Sequence, residues 1–185
     1  MFATREFHGT FNRVGGLDGT FRLNKNWNAS YRGYMSSTLD TNGYSFGQNH
    51  DAELVGNGRR FTFNLEYLDI TPNFLTETGF VPRLDQRAIN QYTHFYWRPE
   101  GKHLVFHGIE ENTTQLWDHH NSTLQQVASG DYVFAFRRNI IFAPIYFYQS
   151  DVLRPVDFTG LPGNRQYIHT GAGGERSCSP CRGQQ

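Results

Sequence analysis

The sequence has no long hydrophobic run. No stretch approaches the roughly 18 consecutive apolar residues that a membrane-crossing helix requires, so a helical membrane protein is excluded. It also has no charge excess: 17 basic residues balance 17 acidic ones, with an isoelectric point near 7.1, which removes the simplest electrostatic case for a nucleic-acid partner. Cysteine is nearly absent, with only Cys178 and Cys181 in one Cys-Ser-Pro-Cys step. A single such pair cannot complete a tetrahedral zinc site, and no strand–helix context suggests a redox fold. Residues 1–8 hold no apolar leader core, so a secretory signal is missing from the start of the chain.

Motifs that carry chemistry are equally scarce. There is no Gly-x-Ser-x-Gly elbow, no phosphate-cradling glycine loop and no His-Glu-x-x-His helix. His103 and His107 have the helical metal-ligand spacing, but on a strand they would stand about 13 Å apart, too far to share one ion. His119 and His120 fall in a turn. Glu110 and Glu111 are adjacent, so on a strand they point to opposite faces and cannot share a proton. The expectation is a chain with no catalytic residues, no metal site and no cofactor.

What the sequence does have is strand-forming material. Aromatics make up 16% of its 185 residues, alongside many Gly, Asn and Thr. Aromatic residues and Thr favour strands, while Gly and Asn favour turns. Turn signals recur at Asn24-Lys25-Asn26, Thr41-Asn42-Gly43, Gly56-Asn57-Gly58, Pro99-Glu100-Gly101, Asp118 to Ser122 and Arg138-Asn139. They separate eight predicted strands near 11–23, 27–38, 44–55, 59–69, 86–98, 102–115, 123–137 and 140–150. Within these windows the apolar period is two. Phe61, Phe63, Leu65 and Tyr67 alternate with Thr62, Asn64 and Glu66, and Trp27, Ala29, Tyr31 and Met35 alternate with Asn28, Ser30 and Arg32.

The predicted strands are long. Globular strands average about 5–6 residues, whereas a tilted membrane-spanning strand needs about 9–11. Trp27, Tyr67, Trp97 and Trp117 fall near strand ends, where an interfacial aromatic girdle would put them. Mean hydropathy of −0.62 is compatible with a barrel, because only every second residue of a barrel strand meets lipid. The polar faces are expected to carry Arg22, Arg32, Glu53, Glu66, Arg87 and Asp131. One connection is much longer than the rest: residues 69–85, with Pro72, Gly79 and Pro82, a length that usually has a job. Residues 1–10 read as a lead-in, 11–160 as the β domain, and 161–185 as a disordered tail rich in glycine.

The segment Asp69-Ile-Thr-Pro-Asn-Phe74 followed by Glu77-Thr-Gly-Phe-Val-Pro-Arg-Leu-Asp85 resembles a feature of one bacterial family. That family is the uncharacterised barrel domain at the C-terminal end of large outer-membrane proteins, which often also carry a module similar to family 9 carbohydrate-binding domains. Tyr67, Asp69, Phe74, Gly79, Phe80, Val81, Arg83 and Asp85 stand in the matching places, and Asn12-Arg13-Val14, Gly16, Asp18 and the Asn26-Trp27 turn are similar too. The resemblance spans residues 11–160. It implies an all-β, antiparallel up-and-down meander of about eight long strands, forming part or all of a transmembrane β-barrel in the outer membrane. It further implies lipid as a partner, with a glycan or small solute engaged through the parent protein, and a signal peptide upstream of an internal piece. The expected functional element is the long loop, through Asp69, Phe74, Gly79, Phe80, Arg83 and Asp85, with Arg83 paired to Asp85 or to a carboxylate in the lumen. The competing expectation is a soluble antiparallel sheet that binds a ligand or sugar, with Tyr92, Tyr96, Trp97 and Trp117 as a stacking platform.

Overall fold

The computed structural model describes residues 1–77, 81, 83–99, 101–158 and 160–178, with backbone alone for 175–178. Ten antiparallel strands follow one another as neighbours in a single sheet: β1 (Phe2–Phe7), β2 (Thr10–Arg22), β3 (Trp27–Asp40), β4 (Gly43–Asn57), β5 (Phe61–Ile70), β6 (Gln86–Trp97), β7 (Leu104–Trp117), β8 (Thr123–Phe136), β9 (Ile140–Leu153) and β10 (Arg165–Cys178). The architecture is all-β and up-and-down, with no helix among the described residues.

Eight of these strands match the windows that periodicity picks out, to within three residues at either end. Two do not. The lead-in contains β1, which closes a two-residue hairpin at His8-Gly9; both residues have positive φ, the geometry that matches the natural twist of paired strands. The segment expected to be a disordered tail contains β10, paired to β9 along all of its 14 residues. Its glycines lower its intrinsic strand preference, but an extended partner already in place supplies a full ladder for it. Pro144 lies inside β9 rather than at an edge. The β8–β9 pairing is interrupted between Asp131 and Phe134, on the side where proline offers no N–H.

The register sorts the side chains onto two faces. Asn12, Val14, Ser36, Thr38, Asn49, Asp51, Glu53, Asn64, Glu66, Asn90, Tyr92, Glu110 and Asp131 share one, the polar face. Two small apolar clusters bracket its charged middle: Leu68, Ala88, Leu116 and Leu124 towards one end, and Tyr96, Phe106, Val133, Ile141 and Ala143 towards the other. The opposite face carries Leu17, Phe21, Met35, Phe46, Phe61, Tyr67, Ile89, Trp97, Ile109, Phe136, Phe142 and Tyr146, all of them exposed. Trp27 and Trp97 stand at one end of this apolar face, and Tyr67 and Trp117 at the other. The separation is imperfect on β9, where Ile145 and Phe147 lie on the polar side opposite Asp131 and Ser129.

Candidate functional site

The connection from β5 to β6 does not hang from the rim. It turns back and lies across the polar face, over β4, β3 and β2 in succession. Thr71 begins the crossing by donating its N–H to the Gln48 carbonyl at 2.9 Å, while its hydroxyl accepts the Gln48 N–H at 2.7 Å. Phe74 then lies against Gly47 and is 3% exposed. A Cβ at position 47 would fall 2.2 Å from the Phe74 backbone, so only glycine lets the loop approach the sheet this closely. Next, Ser36 Oγ accepts the Leu75 N–H at 3.1 Å. Asn12, 2% exposed, donates to the Leu75 carbonyl at 2.9 Å and to Thr38 Oγ1 at 2.8 Å, and accepts the Glu77 N–H at 3.2 Å. One buried amide thus satisfies three polar groups that the crossing would otherwise leave unpaired. Glu77 ends the outward limb on Arg5 of β1 at 2.9 Å.

The return limb finishes in an ionic cluster at the rim, among the β5–β6, β7–β8 and β9–β10 connections. Arg154 is its centre. Its guanidinium donates to both oxygens of Asp157 (2.9 and 3.1 Å), to Asp85 Oδ2 at 3.2 Å and to Asp118 Oδ2 at 3.2 Å. Arg83 also donates to Asp157, a carboxylate of the same cluster, and not to Asp85, the first of the two partners expected for it. Asp118 shapes its own turn, its Oδ1 accepting the N–H groups of His120 (2.9 Å) and Ser122 (2.8 Å). Arg87, expected on the polar face, instead reaches the Asp118 carbonyl at 3.1 Å and Asn121 Oδ1 at 2.7 Å. His119 joins the loop's two ends. Its Nε2 faces Asp69 Oδ1 and its Nδ1 faces Asp85 Oδ1, both at 3.0 Å. Asp85 adopts φ +54°, a left-handed conformation that an Asp tolerates better than most residues.

The charges follow from this geometry. Burial pushes the Asp85 carboxyl up, but hydrogen bonds from the His119 backbone and ring and from Arg154 outweigh it and hold the group below the usual carboxylate range. Asp118 is also raised by burial and brought down further by the Ser122 and His120 N–H groups and by Arg154. Asp157 is lowered against its burial by Arg154 and Arg83. The bonds that Arg154 donates to Asp157 raise Arg154 despite its own burial. Oxygens of Asp85 and Asp118 and a ring nitrogen of His120 approach within 4.8 Å of one another, a metal-like spacing, but the Arg154 guanidinium already neutralises both carboxylates. A cavity of about 520 Å3 opens beside the cluster, lined by Pro72, Val81, Leu84 and Phe158 together with Arg83 and Asp157.

Of the expected site residues, Asp69, Asp85 and Arg83 meet in the rim cluster and Phe74 anchors the crossing; Gly79 and Phe80 lie outside the described residues. Asn12, Ser36, Gly47, His119, Arg154 and Asp157 complete the site. Asn12 stands among the residues that carry the family resemblance and His119 in a predicted turn, but no role follows for any of the six from the sequence, because each acts through a partner far along the chain. The proposed aromatic platform is not assembled: Tyr92 and Tyr96 lie on the polar face, Trp97 and Trp117 on the apolar one. Compared with known proteins, the chain matches no family model, no curated protein and no solved structure. The class that its fold defines is therefore an antiparallel ten-stranded meander with a loop sealed onto its polar face.

Proposed function

We propose that this sheet is a wall of an outer-membrane β-barrel, and that residues 71–77 of the β5–β6 connection occupy the lumen side, where they narrow or block passage. The observation that carries the reading is the sidedness of long strands. Strands of 12–15 residues from β2 to β9, β5 excepted, expose large apolar side chains on one face and gather charge and a pinned loop on the other. At about 3.4 Å per residue a 14-residue strand is about 48 Å long, and with a tilt of about 40° it spans about 36 Å, more than the roughly 25 Å apolar band of such barrels. Aromatic rings at both ends of the apolar face are consistent with interfacial girdles. The role is a membrane scaffold or a pore, within the larger carbohydrate-related surface protein that the family resemblance implies.

The test is fractionation of cells making the full chain, followed by gel migration with and without heating. The expected result is recovery in outer membranes and a heat-dependent shift in mobility; a protein that stays with the soluble fraction and migrates identically either way overturns the proposal.

One observation favours a second reading, a water-soluble sheet that binds a ligand. In the middle of β6, β7 and β8 the otherwise apolar face carries Gln91, Thr93, Glu111, Thr113, Gln115 and Gln126. Thr113 donates to Gln91 at 2.9 Å, so part of this patch satisfies itself. Recovery of a folded monomer without detergent is the result this reading expects.

A further inference from the structure

We propose that the end of the sheet formed by the β2–β3, β4–β5, β6–β7 and β8–β9 connections docks on an anionic lipid surface, its cations among the headgroup phosphates, an inference that rests on the barrel reading. An up-and-down meander sends alternate connections to opposite ends, so these four share one end and the other five share the other. Charge is divided between the two. Six exposed cations, Lys25, Arg59, Arg60, Lys102, Arg137 and Arg138, and the half-buried Arg98 lie in the four connections, where the sequence puts one acid, Glu100. The five connections at the opposite end hold two cations, Arg83 and Arg154, and four acids, Glu77, Asp85, Asp118 and Asp157. The balanced charge of the whole chain therefore conceals a cationic end and an acidic one.

Two features fit this end to a headgroup layer rather than to a small anion. The first is a belt of rings on the apolar face, just inside the cationic turns. Ring contacts run without a break from Trp27 on β3 to Phe142 on β9, by way of Phe61, Trp97 and His107, with centroids 4.7 to 6.5 Å apart. Aromatic girdles settle at the boundary between hydrocarbon and headgroups, so cations one turn further out stand at the level of phosphate. The second is spacing. Neighbouring strands lie about 4.8 Å apart, so successive turns at this end are about 10 Å apart, and their charges form a row that cannot converge on one ion. Backbone carbonyls brace each turn against the next. The Asn57 N–H donates to the Asn26 carbonyl at 2.7 Å, Arg98 Nε to the Arg59 carbonyl at 3.3 Å, and Arg137 Nε to the Gly101 carbonyl at 3.2 Å. A carbonyl orients a guanidinium without cancelling its charge. At the acidic end, by contrast, Arg83 and Arg154 are both paired with carboxylates.

The test refolds the full chain into phosphatidylcholine vesicles that carry a trace of spin-labelled lipid, either phosphatidylglycerol or phosphatidylcholine. The quantity read is the share of each label immobilised at the protein boundary. For the native chain the anionic label is expected to be enriched about fivefold over the neutral one at low salt. The preference should vanish at about 1 M salt, where the screening length is about 3 Å. Combining Lys25→Gln, Arg60→Gln, Lys102→Gln and Arg138→Gln is expected to bring the ratio below about twofold, in keeping with the loss of surface charge. Combining Lys25→Arg, Arg60→Lys, Lys102→Arg and Arg138→Lys is expected to keep the native ratio, and strand content by circular dichroism should be unchanged in both variants. A native chain that enters the vesicles and holds the two labels equally overturns the docking surface alone, as does a preference that survives the four Gln substitutions. A chain that enters no vesicle overturns the barrel reading and the docking surface with it.

Discussion

At the scale of single residues, Arg154 holds together three connections that the chain order keeps far apart. Its side chain is 10% exposed and serves three carboxylates, so its removal leaves Asp85, Asp118 and Asp157 facing one another with little solvent. Breaking a buried, hydrogen-bonded ionic group by deleting one partner costs about 3–5 kcal/mol. Allowing for the partial exposure of this rim, Arg154→Leu is expected to lower unfolding free energy by about 3 kcal/mol in denaturant titration. The same cluster sets an acid limit. Asp85, Asp118 and Asp157 have folded-state values below those of the unfolded chain, so their contribution is complete above the ordinary carboxylate range, near pH 4, and is lost as pH falls through the lowered values. Asp157→Asn is therefore expected to be less stable than the native chain at neutral pH. It should also lose less stability on acidification, so that thermal melts of the two converge at low pH.

At the scale of elements, the loop and the turns show which local choices decide the fold. Gly47→Val leaves the ionic cluster untouched but places side-chain carbon where the Phe74 backbone now lies. The expected outcome is a loop lifted from the sheet: faster limited proteolysis within 71–77, with strand content by circular dichroism unchanged. A proteolysis rate equal to that of the native chain would remove Gly47 as the reason the loop lies flat. At the β8–β9 connection, Arg138 and Asn139 both have positive φ, at 67° and 55°. An Arg in that conformation is strained, so Arg138→Gly is expected to stabilise by about 0.5–1 kcal/mol, read as a small rise in melting temperature. Eight strands were legible because alternation recurs between Thr10 and Leu153 and the turns are rich in Asn and Gly. The strand β1 was not, since six residues carrying Arg5 and Glu6 give too short a period to register. The strand β10 was not, because Gly171, Gly173 and Gly174 read as breakers until a partner strand is in place. The loop's length marked it as functional, and Asp69, Arg83 and Asp85 were found. Their partners His119, Arg154 and Asp157 were not, since pairing across 34 to 74 positions leaves no trace in local pattern.

At the scale of the whole molecule, the question is what medium the apolar face meets. In water, a sheet with one face this apolar would need a second layer to cover it, and none is present among the described residues. In a bilayer the same face is already covered, and the free edges of β1 and β10 become the unsatisfied part. An even strand count leaves those two edges antiparallel, the orientation that closure requires, while hydrocarbon tolerates no unpaired row of N–H and C=O groups. Ile109 distinguishes the two media. It lies near the middle of β7 on the apolar face, is 48% exposed, and has Phe95 and Tyr132 as cross-strand neighbours. If that face meets lipid, Ile109→Arg buries a charge near the bilayer midplane and costs about 2–4 kcal/mol, seen as a lower midpoint in denaturant titrations of vesicle-reconstituted protein. If it meets water, the guanidinium is solvated, and the substitution shifts stability by no more than about 0.5 kcal/mol. Asn112→Arg provides the control. Asn112 lies on the polar face between Tyr92 and Ser129, one position along that face from Glu110, so an added cation there is expected to cost little in either medium. A large penalty at 109 with a small one at 112 identifies lipid on the apolar side; equal and small penalties place that side in water.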